Sequence, residues 1–86
     1  MNNRNENLFI RSLFEEHYDG PGHVRHYNDL RKNGRRRVFK VDRHHGAATA
    51  WRKVLKDLQD TIFRGRWEYW ESADGREVGI KRFQEQ

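Results

Sequence analysis

HVRHYNDLRKNGRRRVFKVDR, residues 23–43, decides how the rest of this chain is read. Near its middle stands Asn33-Gly34, the pair best suited to a two-residue type I′ turn, because both central positions of that turn need positive φ. A turn there pairs Lys32 with Arg35, Leu30 with Arg37, Asn28 with Phe39 and His26 with Val41. Side chains alternate along a strand. One face of the hairpin then carries Val24, Leu30, Phe39 and Val41, interrupted by His26, Asn28 and Arg37. The other carries Arg25, Tyr27, Asp29, Arg31, Arg36, Val38 and Lys40. The first is the core face by its apolar content, and a slip of one residue would bury three or four cations in its place. Arg37 falls on the core side, and its expected position is the rim near the turn.

Working outward, residues 5–17 read as a first helix. Phe9, Ile10, Leu13 and Phe14 form one apolar face. Asn5 or Asn7 is suited to cap its start, with Glu6 near the positive end of the helix dipole. Tyr18-Asp19-Gly20-Pro21-Gly22 stops it, since Gly20 tolerates a left-handed cap and Pro21 cannot continue a helix. After the hairpin, a second helix is expected from Gly46 or Ala47 to Phe63, with Gly65 as its stop. Trp51, Leu55, Leu58 and Ile62 make its stripe, flanked by Ala47, Ala48 and Val54. Arg66 to Phe83 reads as a second hairpin turning at Asp74-Gly75. There Trp70 opposes Gly79, Glu68 opposes Lys81 and Arg66 opposes Phe83, while Trp67, Tyr69, Val78 and Ile80 share the core face. The whole is an α+β domain in the order α-ββ-α-ββ, an antiparallel sheet of two β-hairpins backed by two helices on one face.

Eighty-six residues make one domain, 1–86, with a small core margin. Only 34% of the residues are hydrophobic, but eleven are aromatic, and large rings bury roughly 150–250 Å² each. The absence of cysteine excludes disulfides, thiolate metal sites and a cysteine nucleophile, and suits a reducing, cytoplasmic setting. No apolar run approaches the length of a membrane span or a signal-peptide core.

Charge carries the functional signal. Residues 23–43 hold eight Lys and Arg against two Asp, a net of +6 where the whole chain is +5. A dense, one-sided cationic face points to an anionic partner, and DNA is favoured over RNA. Arg25, Arg31, Lys32, Arg35, Arg36 and Lys40 are the candidate phosphate or groove contacts, with Tyr27 among them to stack a base or pack on sugar. The bland alternative is a solvated strand whose cations block edge pairing. On the second hairpin, Trp70, Phe83 and Lys81 are candidate protein-interface residues, although Trp70 over Gly79 is also ordinary cross-strand packing. The competing function is an inhibitor or adaptor, of the sort phages and mobile elements direct against host enzymes, docking on an acidic protein surface. Open strand edges also allow a homodimer.

Catalytic chemistry has little support. Ser12 and Ser72 lack an elbow motif, and Gly20-Pro21-Gly22 is not a phosphate loop. His17, His23, His26, His44 and His45 show no helical metal-binding pair, so neither metal nor cofactor is expected. Tyr18-Asp19-Gly20, in this element order, resembles half of a LAGLIDADG homing endonuclease, which implies Asp19 as a metal-binding acid. Phe9, Leu13 and Phe14 stand where that family has small residues. Residues 23–63 are similar in design to the integrase arm-binding fold, whose basic sheet implies major-groove reading. That fold has three strands before its helix, and two are placed here. A non-enzymatic nucleic-acid-binding protein is the leading expectation.

Overall fold

The computed structural model describes residues 3–31, 34–61 and 66–84, without the side chains of 3, 4, 29–31, 34, 35, 83 and 84. The elements are α1 (Asn3–His17), β1 (Arg25–Arg31), β2 (Gly34–Asp42), α2 (Ala47–Leu58), β3 (Trp67–Glu71) and β4 (Glu77–Gln84). They form a four-stranded antiparallel sheet in the order β1-β2-β4-β3, so β2 and β4 are central and the two hairpins join through them. The α+β order expected from the sequence is the one observed. Two strands precede α2, as placed from the sequence.

Both helices contribute to one core on one side of the sheet. Ile10 and Phe14 of α1 and Ala47, Ala50, Trp51, Val54 and Leu58 of α2 pack with Phe39, Val41, Val78 and Ile80. Phe14 stacks on Trp51 with ring centroids 4.1 Å apart. Toward their C-terminal ends the helices are tied by His17 Nε2 and Asp57 Oδ2, 2.7 Å apart. The core face of the sheet is the predicted one, because strand alternation leaves it no other apolar set.

Three expectations need correction. First, β1 and β2 pair two residues away from the Asn-Gly register: Asn28 faces Arg37, His26 faces Phe39 and Arg31 faces Gly34. A displacement of two keeps every side chain on its face, so burial does not separate the registers and particular pairs must. Here Arg37 Nη1 donates to Asn28 Oδ1 at 3.2 Å, and the His26 ring lies 5.7 Å from Phe39. The turn residues 32 and 33 lie outside the described residues. Second, α1 begins at Asn3, so Asn5 and Asn7 are within the helix and not capping it. Third, α2 ends at Leu58 and not at Phe63. Past it the backbone tightens to three-residue spacing, with Asp60 N–H to Asp57 O and Thr61 N–H to Leu58 O, both at 3.2 Å. The Thr61 hydroxyl also donates to Leu58 O at 3.0 Å, a local bond that competes with helix continuation. Ile62, Phe63 and Gly65 lie outside the described residues.

The second hairpin matches its expected register, with Trp70 opposite Gly79 and Glu68 opposite Lys81. Gly75 has φ 73, the conformation its turn requires. Asp74 Oδ1 accepts from Arg76 N–H at 3.0 Å and from Ser72 Oγ at 2.6 Å, closing the turn with its side chain. The hydrogen bond from Ser72 lowers the Asp74 pKa most, with the Arg76 amide adding to it.

Candidate nucleic-acid interface

The sheet face away from the helices carries Arg25 and Tyr27 of β1, Arg36, Val38, Lys40 and Asp42 of β2, Glu77, Gly79 and Lys81 of β4, and Glu68 and Trp70 of β3. Register and alternation place them together. Val38 is fully buried there, with Tyr27 and Lys81 as its cross-strand neighbours. The open face is therefore paved by long side chains lying over an apolar floor.

Its two ends differ in electrostatics. At the end away from the first turn, Arg25 Nη2 lies 2.8 Å from Asp42 Oδ1 and 2.6 Å from Glu77 Oε2. Lys40 Nζ is 3.1 Å from Glu77 Oε1. Asp42 and Glu77 are directly opposed, and like charges there would repel were these cations not between them. Hydrogen bonding to Arg25 is the main cause of the lowered pKa of both carboxyls, and it raises that of Arg25 in turn. Nearby, Arg43 Nη2 lies 2.6 Å from Glu71. On the open face itself Arg25 and Lys40 meet Asp42 and Glu77, while Arg43 and Glu71 pair on its helix side, so this end is internally neutralised.

The predicted contacts accordingly separate. Arg25 is engaged by two carboxylates. Lys40 is shared between Glu77 and two aromatic rings, its ammonium 5.0 Å from the Tyr27 centroid and 5.9 Å from the Trp70 centroid. Tyr27 is 37% exposed and Trp70 half-buried. Arg36 is half-buried toward the turn end, and Lys81 lies 3.7 Å from Glu68. Lys32 and the side chains of Arg31, Arg35 and Phe83 lie outside the described residues. The structure thus brings Tyr27, Arg36, Lys40, Trp70 and Lys81 onto one surface and ties Arg25 into the neutral end.

Arg37 is not at the rim, as expected, but 3% exposed beneath α1. Its Nε lies 2.8 Å from Glu6 Oε1, while Arg82 Nη1 lies 2.8 Å from Glu6 Oε2. Arg37 Nη2 also donates to Asn7 Oδ1, and its guanidinium sits 5.2 Å over Phe39. The Glu6 oxygens lack hydrogen-bond alignment with these donors, so the triad is held chiefly by charge. Burial lowers the Arg37 pKa, Glu6 opposes that shift and Arg82 adds to it. Sequence reasoning treated Glu6 as a helix-dipole charge and missed the triad. The signal was present: Glu6 lies four residues before Ile10 and eight before Phe14, on the buried stripe, and an arginine on a core face demands an anion.

Among the described residues, one group has donor atoms close enough to suggest a metal: Glu16, His17 and Asp57, all within 4.8 Å of one another. His17 and Asp57 already bond each other, which accounts for their proximity. His23, His26, His44 and His45 form no such group among the described residues. No helix among the described residues is long and apolar enough to cross a membrane. No protein-family model, curated protein or solved structure matches this chain, so neither resemblance noted in the sequence gains support.

Proposed function

We propose that this is a non-enzymatic nucleic-acid-binding protein that acts in the cytoplasm through the open face of its sheet. One observation carries the reading: that face combines two aromatic rings around Lys40 with Arg36 and Lys81, next to the turn segment richest in cations. Internal pairing neutralises the far end, while Arg31, Lys32, Arg35 and Arg36 flank the turn in sequence and Arg37 is drawn inward by Glu6. Cations supply phosphate attraction, and the exposed Tyr27 and half-buried Trp70 rings offer sequence-tolerant contacts.

The test is an anisotropy titration over a range of salt, comparing the parent with Arg36→Ala and Lys81→Ala. Each variant is expected to lower affinity and to flatten the slope of log affinity against log salt by roughly 0.7–0.9 per lost phosphate contact. Slopes identical to the parent would remove these residues from the interface. A second reading is favoured by Trp70, a half-buried tryptophan among charges of the kind that anchors protein interfaces. In that reading the face docks on an acidic patch of a host protein. Recovery of such a protein by pull-down, with no affinity for DNA or RNA, would replace the first reading with the second.

A further inference from the structure

Resting on the nucleic-acid reading, we infer that the ligand of the open face is a single strand, its bases stacking on Tyr27 and Trp70 and its backbone crossing the cations around them. The topology argues first against a duplex. Strand β2 pairs with β1 over Gly34–Lys40 and with β4 over Arg35–Asp42, so the basic hairpin is half of a sheet and not a projecting ribbon. At about 4.8 Å per step, the outer strands of a four-stranded sheet lie roughly 14 Å apart before side chains are added. The major groove of B-DNA is about 12 Å wide and admits a two-stranded ribbon or a helix. A four-stranded face bridges that groove without entering it. Against a duplex, Tyr27 and Trp70 would meet bases already stacked on one another.

The arrangement of the rings suits an unpaired strand. Tyr27 in β1 and Trp70 in β3 belong to opposite edge strands, yet both reach toward the Lys40 ammonium. Their centroids can be no further apart than the sum of the 5.0 and 5.9 Å separations from that nitrogen. Two platforms this close serve neighbouring bases of one chain. Gly79, buried beside Lys40 and Trp70, admits no side chain, because a Cβ there would run into the Phe39 carbonyl. Arg36 and Lys81, the latter 3.7 Å from Glu68, lie further along the same face, where a phosphodiester leaving the platform would compete with that carboxylate for the lysine.

The experiment measures anisotropy of labelled DNA and RNA single strands of about 12 nucleotides, a length within known site sizes, against the duplex of the same sequence. The single strand is expected to bind more tightly than the duplex. Tyr27→Ala should weaken single-strand binding on the order of five- to a hundredfold, the range for loss of one base–aromatic stack. Trp70→Phe keeps a ring over Gly79 and should retain most of the affinity. Far-UV spectra and melting curves of the variants separate lost contacts from lost fold. Duplex binding as tight as single-strand binding, or a folded Tyr27→Ala that binds like the parent while Arg36→Ala is weakened, overturns the single-strand inference and leaves the nucleic-acid reading standing. Absence of binding to every probe overturns both.

Discussion

Replacing Glu6 with Gln should remove a large part of the stability of this protein. The carboxylate is fully buried and lies 2.8 Å from each of two guanidinium groups, themselves 3% and 12% exposed at the side chain. At an effective dielectric near 20, each attraction amounts to roughly 4–6 kcal/mol before desolvation is subtracted. Glutamine keeps the shape and removes the charge, leaving Arg37 and Arg82 buried side by side with only neutral partners. Breaking a buried pair from one side typically destabilises by about 3–5 kcal/mol. Domains of this size hold about 4–13 kcal/mol in total. The expected fall in melting temperature is therefore about 12–40 °C, at roughly 4–8 °C per kcal/mol. Urea unfolding followed by fluorescence of Trp51, fully buried in the native core, reads the change directly. A companion variant replacing Glu6 with Leu and both arginines with Met should recover much of the loss, because no ion then needs desolvation. A Glu6→Gln protein within about 1 kcal/mol of the parent would refute the argument that this carboxylate neutralises two buried cations.

Further expectations can be checked with the same preparations. Gly79→Ala should destabilise strongly, because the added methyl meets backbone that cannot move aside; an unchanged urea midpoint would contradict the packing described. Arg25→Ala should change nucleic-acid affinity little, since Arg25 already serves Asp42 and Glu77; a clear loss in a titration would show that the ion pairs open on binding. Burial, then Arg37 and Arg11, lower the pKa of His26, so its folded form binds a proton less readily than the unfolded chain. Its contribution is thus fully present above the unfolded value near 6.5 and is lost as pH falls below that. His26→Gln should flatten stability against pH in that window. Asp42, Glu71, Asp74 and Glu77 have lowered pKa values, and stability from their pairing is lost at more acid pH, below their ordinary values of 3.8 and 4.5. High salt should blunt that second decline where it comes from exposed pairs.

Local chemistry made much of this protein legible in its sequence. Alternation across His23–Arg43 assigned Phe39 and Val41 to the core and Tyr27, Arg36 and Lys40 to the open face, and those faces survive even though the register does not. A two-residue displacement is invisible to a period of two. The Asn-Gly preference spoke for one register; tertiary partners of Asn28 and Arg37 accompany another. The end of α2 was likewise misjudged, because apolar spacing continues through Ile62 while Thr61 bonds back to Leu58.

Pattern and turn chemistry alone determined the α-ββ-α-ββ order, the Ala47, Trp51, Val54 and Leu58 part of the core stripe of α2, the register of the second hairpin and the excess of positive charge. These depend on neighbours within a few residues or on composition, and a linear chain displays both. Tertiary structure alone decided which cations remain on the surface as candidate contacts. Alternation already set Arg37 on the core side and Arg25 on the open face, but only the fold shows that one is drawn under α1 by Glu6 and the other toward Glu77, which lies 52 residues away in sequence. Charge is additive along a sequence, whereas its availability depends on which opposite charge the fold brings within a few ångströms, and that is set by the packing of sheet against helix.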